Sequence, residues 1–328
     1  ISALSSDTLG SRSVAIGRAA LTSQNFTTAT NAYNTAVGYS AGIQVTTGQL
    51  NTLIGGDAGD ALTDADQNTA VGYSALSSDT MGCQSTAIGY QALFSQNFTT
   101  GTDARNTAVG YNAGSEVTTG TGNVLIGATA GDAITTGADN VVIGYQAGTY
   151  QANLTTSNGN VLIGPYTDST DGTTAYAMGL GYNLDCAPNF TTLGLGTADI
   201  RAEHGVATWN AVSDERYKKD IVDSTAGLSF INALKPRTFK YKTLGELPET
   251  FNAYKADSTE VFKNSNTNHG FIAQEVKTAI DADSGIKDGF KLWGERPDGS
   301  QEVGEAALIP ILVKAIQELE ARVKELEG

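Results

Sequence analysis

Covalent chemistry is within reach of one short stretch of this 328-residue chain: Ser213-Asp214-Glu215-Arg216-Tyr217-Lys218-Lys219-Asp220-Ile221. A serine hydroxyl is a poor nucleophile until a neighbour takes its proton. A lysine can take it only when neutral, and with an ordinary pKa near about 10.4 that requires a dry site or neighbouring like charges. Arg216 and Lys219 are the local like charges, and Lys219 is also the adjacent competitor for the base role. Residues five apart do not share a helix face, whereas residues four apart do. Ser213 and Lys218 therefore meet only if the segment turns, or if they meet across chains. Taken alone, the same residues also read as a charged turn with Ser213 as a helix N-cap toward Arg216.

The elements that would position this stretch are legible on both sides of it. Upstream, one unit recurs nine times, among them SVAIGRAA at 13, NTAVGYSAG at 34, NTLIGGDAG at 51 and NVLIGPYTD at 160. The spacings are 17, 20 or 21 residues, and ALSSDTLG at 3 returns as ALSSDTMG at 75, so a block of four units is duplicated at an offset of 72. Counting Asn or Ser as position one, position four is always Ile or Val and position five always Gly. That is a very short strand ending in a sharp turn. Position four is expected to face the core, and the variable position three (Ala36, Leu53, Val142) a neighbouring chain. One unit cannot bury its own apolar face, so the units must stack as a β-solenoid. Tyrosine recurs at position six (Tyr39, Tyr73, Tyr90, Tyr111, Tyr145), either as a stacking ladder or as an exposed strip that binds glycans.

Composition excludes several classes. With 38 Gly, 6 Pro and a formal charge of −15, the chain reads as short strands and turns with an acidic surface. That argues against nucleic acid or anionic membrane as partner. No apolar run reaches membrane-spanning length, Pro310 and Lys314 interrupting the best one, so no membrane insertion is expected. Cys83 and Cys186 are far apart and read as buried thiols. Two histidines, His204 and His269, leave no room for a His-rich metal site, and His269 reads as packed or capping. GGDAGDALT at 55–63 is a near miss to a calcium-binding nonapeptide, better read as solvated turn carboxylates. No metal or cofactor is expected. The repeats show no paired carboxylates of the kind that cleave polysaccharides. An opening Ile1 points to a piece of something longer.

Downstream lie AGLSFINALKPRTFKYK at 226–242, HGFIAQEV at 269–276 and EAALIPILVKAIQELEARVKELE at 305–327. They read as a short helix leading through Pro236 into a strand, a second helix, and a long helix with a heptad seam. Ile309, Ile316 and Val323 fall at a, and Leu312, Leu319 and Leu326 at d. Arg322 at g and Glu327 at the following e can pair across chains. β-branched residues at a with Leu at d favour two strands by the simple rule.

With SDxRxK, these stretches resemble the self-processing endosialidase-type intramolecular chaperones at the C-termini of phage tail spikes and fibres. SVAIG at 13–17 also resembles the heads of trimeric autotransporter adhesins, a parallel β-roll of three chains. The first resemblance implies Ser213 as nucleophile, Lys218 as general base and Asp214 and Arg216 as positioning residues. It places the scissile bond between Val212 and Ser213, and makes the coiled coil trimeric. The expected architecture is mainly β. A trimeric parallel β-solenoid over 1–166 is followed by degenerate last rungs and a junction over 167–212, anchored by Trp209. A small α+β domain, 213–328, ends in the trimeric coiled coil 305–327. The expected role is the C-terminal part of a phage tail fibre or spike, on the virion. It would be a homotrimer that binds a host cell-surface glycan or protein receptor and cleaves itself once. The alternatives are a bacterial trimeric surface adhesin and a glycan-degrading tailspike.

Overall fold

Each repeat folds as one rung. The computed structural model describes residues 2–173, 175–206, 208–211, 213–286 and 291–328. Three-residue strands β1 (Val14–Ile16), β2 (Thr35–Val37), β3 (Thr52–Ile54), β4 (Thr69–Val71), β5 (Thr86–Ile88), β6 (Thr107–Val109), β7 (Val124–Ile126), β8 (Val141–Ile143) and β9 (Val161–Ile163) stack in chain order. They are parallel and in register, so that Ala36 pairs Leu53 and Val37 pairs Ile54. Parallel pairing continues through β10 (Met178–Tyr182) to β11 (Phe190–Leu195). The chain then reverses: β12 (Ala198–Glu203) and β13 (Asn210–Ala211) add on as antiparallel strands and finish the 13-stranded sheet.

The facing of the rungs is the reverse of the expectation. Position three is the core: Ala36, Leu53, Ala70, Ala87, Ala108, Leu125, Val142 and Leu162 are wholly buried. Position four lies outside, with Ile16 59 % exposed and Ile54 and Ile88 38 %. Position three varies because it is compensated within the chain. Where it is Leu53, position nine is Gly59, and a Cβ there would meet Leu53 Cδ2 at 2.8 Å. Where it is Ala70 or Ala87, position nine is the buried Leu76 or Leu93. Where both are small, at Ala36 with Gly42 and Ala108 with Gly114, side chains of the neighbouring rungs fill the space, as close packing demands: a Cβ at Gly42 would meet Leu53 Cδ1 at 2.6 Å and Leu21 Cδ2 at 3.0 Å. Position five must be Gly for a different reason. At Gly72 φ is +141°, and a Cβ would sit 2.2 Å from the carbonyl oxygen of Gly89 in the next rung.

Position one forms a buried amide ladder. Asn68 N–H donates to Asn51 Oδ1 at 2.9 Å, while Asn68 Nδ2 donates to the Gly82 carbonyl at 2.9 Å. Asn68 Oδ1 in turn accepts from Ser85 N–H at 2.9 Å. At Ser85 the amide is missing, and Gln96 from the longer rung replaces it. Its Nε2 donates to Ser85 Oγ at 3.0 Å and to Asp79 Oδ2 at 2.6 Å, and its Oε1 accepts from Asn106 Nδ2 at 2.8 Å. The first copy of the block repeats the device with Ser13, Gln24 and Asn34. Asp79 is fully buried. Burial pushes its carboxyl above the ordinary range, against the pull of N–H donors from Phe98, Gln96 and Gly82. Cys186 is buried as expected and its thiol is pushed up to about 12, chiefly by desolvation, whereas Cys83 is only half-buried.

The chain divides into two units, Ile1–Asp214 and Glu215–Gly328. In the second, α1 (Leu228–Ala233) is followed by β14 (Arg237–Phe239), β15 (Asn268–Gly270), α2 (Ala273–Ala282), β16 (Trp293–Glu295), β17 (Gln301–Val303), a 3-10 turn at Glu305–Leu308 and α3 (Ile309–Glu327). β14 pairs β15 and β16 pairs β17, both antiparallel. Phe230, Val276, Ile280, Leu292, Leu308 and Ile311 form its core. Arg237 grips Glu275 with two hydrogen bonds, 2.9 and 2.6 Å, tying β14 to α2. Glu318 of α3 accepts the Leu228 N–H at the start of α1 at 2.8 Å.

Candidate functional site

The motif straddles the division between the units. Ser213, exposed, and Asp214, half-buried, close the first, and Glu215 opens the second. The segment does turn: Glu215–Tyr217 is a single 3-10 turn, closed by the Lys218 N–H donating to the Glu215 carbonyl at 2.9 Å. Arg216, Lys218 and Lys219 are exposed to solvent. Val212, the other side of the expected scissile bond, lies outside the described residues. The drying that a lysine base requires is therefore not supplied by burial of Lys218 within this single chain.

Other expected residues are placed by their own elements. His269 is exposed on β15 opposite Thr238, not packed, because it occupies the outward position of an antiparallel pair. Trp209 is 53 % exposed. Leu308, at the end of the 3-10 turn, and Ile311 and Ala315 of α3 are buried on the side of the unit's own core. The heptad residues face the other way: Ile309, Leu312, Ile316, Leu319, Val323 and Leu326 are all exposed, from 43 to 87 %. A continuous apolar stripe is thus left open along a helix whose back is already packed. GGDAGDALT forms a rung corner, where burial raises the carboxyl of Asp60 against a hydrogen bond from Ser77. Among the described residues no group of His, Cys, Asp and Glu is arranged to hold a metal, and no helix is long and apolar enough to cross a membrane.

The position-six tyrosines do form a ladder. Tyr73 stacks on Tyr90 with ring centres 5.8 Å apart, and Tyr90 on Tyr111 at 5.3 Å, nearly parallel. Arg18, at position six of the first rung, lies over the Tyr39 ring at 5.3 Å and donates to its hydroxyl. Sequence reasoning missed Tyr150, Tyr166 and Tyr182, which join Tyr145 in an edge-to-face cluster. Pro165 displaces the aromatic by one position there, so the strict period hides Tyr166. It also missed the amide ladder, although Asn at position one was its visible signal.

The fold defines a class: a parallel β-solenoid of about eleven turns joined to a small α+β unit that ends in a long helix. Residues 213–284 match the family model described as chaperone of endosialidase, a family of self-cleaving chaperone peptidases. The chain thus carries an endosialidase-type intramolecular chaperone domain after a β-solenoid. The match begins at Ser213 and ends before α3. No curated protein and no solved structure matches the chain.

Proposed function

We propose that this chain is the C-terminal part of a phage tail fibre or spike, in which the solenoid meets the host receptor and the chaperone unit assembles three chains and then departs. The observation that carries this reading is the family match that starts at Ser213, directly after a solenoid. Two exposed apolar features support the homotrimer. One is the stripe Ile309, Leu312, Ile316, Leu319, Val323 and Leu326 on α3, and the other is the position-four ladder on the outer face of the sheet. Three copies together would cover both. Burial of Lys218 on assembly would supply the neutral base and make cleavage wait for the trimer.

The chemistry follows from which atoms Ser213 owns. Its hydroxyl is the nucleophile and its backbone nitrogen is the leaving group. Attack of Oγ on the Val212 carbonyl carbon, with Lys218 Nζ taking the hydroxyl proton, gives a tetrahedral adduct. Breaking the C–N bond, with that proton returned to the Ser213 nitrogen, leaves Val212 as an ester on Ser213 Oγ. Water then hydrolyses the ester and frees both ends. Asp214 and Arg216 position the turn. Loss of the trimerising unit makes assembly kinetically irreversible.

Intact mass of the wild-type chain beside Ser213→Ala and Lys218→Ala tests this. Two pieces from the wild type, the second starting at Ser213, and whole chains from both variants are expected. A wild type that trimerises yet stays whole would reduce the chaperone unit to a permanent trimerisation cap.

A further inference from the structure

The aromatic ladder has two gaps, and they are equivalent. Position six reads Arg18, Tyr39, Gly56, Tyr73, Tyr90, Tyr111, Ala128, Tyr145. Gly56 and Ala128 are 72 residues apart, the offset of the duplicated block, so both copies keep one rung without an aromatic side chain at the same place. Each gap lies between two tyrosines whose far faces are already occupied. Tyr39 is backed by Arg18, and Tyr73 by Tyr90. Tyr111 is backed by Tyr90 and Tyr145 by Tyr166. The four tyrosines that border the gaps are 48 to 55 % exposed, against 43 % for Tyr90 inside the stack.

We infer that the Gly56 and Ala128 gaps are paired slots, each holding one pyranose ring of an uncharged glycan between two tyrosine faces. This rests on the proposal that the solenoid binds a host receptor, and names the receptor class. Two rung steps at about 4.8 Å each separate the walls by about 9.6 Å. A flat ring in van der Waals contact with both walls needs about 7–8 Å. The surplus suits a puckered sugar that presents axial C–H bonds to both faces. The walls are braced from behind, so little ordering is lost on binding. Four rungs separate the slots, about 19 Å, which favours a polymer of repeating units over a lone monosaccharide. Residues 1–214 hold four arginines, no lysine and sixteen acids, so a uronate- or sialate-bearing chain would be repelled.

The test is binding of the full chain to an immobilised array of bacterial oligosaccharides, with uncharged and acidic members in parallel. The variant is Gly56→Tyr with Ala128→Tyr, which completes the ladder. Neither position has a left-handed φ, and a Cβ at Gly56 would lie at an ordinary 3.4 Å from Tyr73, so the rungs accept it. An unchanged thermal unfolding curve checks that they do. Gly56→Ser with Ala128→Ser leaves the slots open. The expected result is uncharged glycan bound by the wild type and the serine variant, with at least tenfold weaker binding by the tyrosine variant. If the completed ladder binds as well or better, the strip is a flat platform: the slots fall, and the receptor-binding reading stands. Binding of acidic glycans alone overturns the ligand class. No glycan bound by any form overturns the slots and the glycan receptor together, while self-cleavage is untouched.

Discussion

Removing one amide from the position-one ladder should cost more than removing most core methyl groups. Consider Asn68→Ala. The side chain satisfies two buried backbone groups, the Gly82 carbonyl through Nδ2 and the Ser85 N–H through Oδ1, each at 2.9 Å. Alanine leaves both without a partner in a site wholly closed to solvent. A buried unsatisfied group costs about 1–3 kcal/mol, so the pair predicts a loss of about 2–6 kcal/mol before any cavity is counted. Asn68→Ser should lose nearly as much. Serine serves at position 85 only because Gln96 reaches it, and no glutamine reaches position 68. The assay is denaturant unfolding of the chain carrying Ser213→Ala, followed by tyrosine fluorescence, with Thr69→Ala on the outer face as the reference substitution. A loss below about 0.5 kcal/mol for Asn68→Ala, a typical surface effect, would refute the view that the ladder is an essential hydrogen-bond circuit. Equal losses for Asn68→Ala and Thr69→Ala would do the same.

Gly72→Ala should be at least as damaging, since it sets a Cβ 2.2 Å from the Gly89 carbonyl at φ +141°; failure to recover folded protein, or a large fall in denaturant midpoint, is expected. Acid should act on the two units in opposite senses. In the solenoid, burial raises the carboxyls of Asp60, Asp79, Asp132 and Asp168, which outnumber Asp64, held down by hydrogen bonds from Thr46 and Thr47. The folded state binds their protons more tightly than the unfolded chain, so stability is greatest in acid and falls as pH rises from about 4 through the folded values. In the chaperone unit, hydrogen bonds hold Glu246, Glu275 and Asp298 down, Asp298 to about 2. Their contribution is present above the unfolded values and lost as pH falls through the folded ones. Unfolding midpoints of residues 1–212 and 213–328, produced separately, at pH 3 and pH 6, by tyrosine and Trp293 fluorescence, should therefore shift oppositely. Ile316→Glu should abolish the trimer in sedimentation velocity and leave the helical circular dichroism of each chain nearly unchanged, because Ile316 is 64 % exposed and touches no core of its own.

The repeat, its period and its β character were legible because they depend on local chemistry: an invariant Gly at a left-handed turn and a β-branched residue before it. The facing of the strand was not. Alternation says that positions three and four oppose each other, but not which is inside. Variability at position three looked like exposure, and only the compensating side chains, at position nine of the same rung or in the rungs beside it, reveal it as core. Likewise Gln24 and Gln96 are unremarkable until the fold places each opposite a serine eleven residues away. For the Ser213 motif, the spacing left two routes open, a turn or a meeting across chains, and the segment holds one 3-10 turn at Glu215–Tyr217. On the proposed mechanism, what dries the lysine would come from partner chains, which the local sequence does not spell out.

The reversal from β11 to β12 and β13 has a consequence for the particle after processing. A stack of parallel rungs ends in a row of unpaired amides and carbonyls, which is a template for further stacking by any molecule with the same repeat. Here the final rung is folded over by an antiparallel pair whose outermost member, Asn210–Ala211, is only two residues long. That pair lies before Ser213. On the fibre proposed above, cut at Ser213, the stopper would stay on the solenoid when the chaperone left. Identical solenoids made side by side would then have capped ends and no tendency to polymerise head to tail.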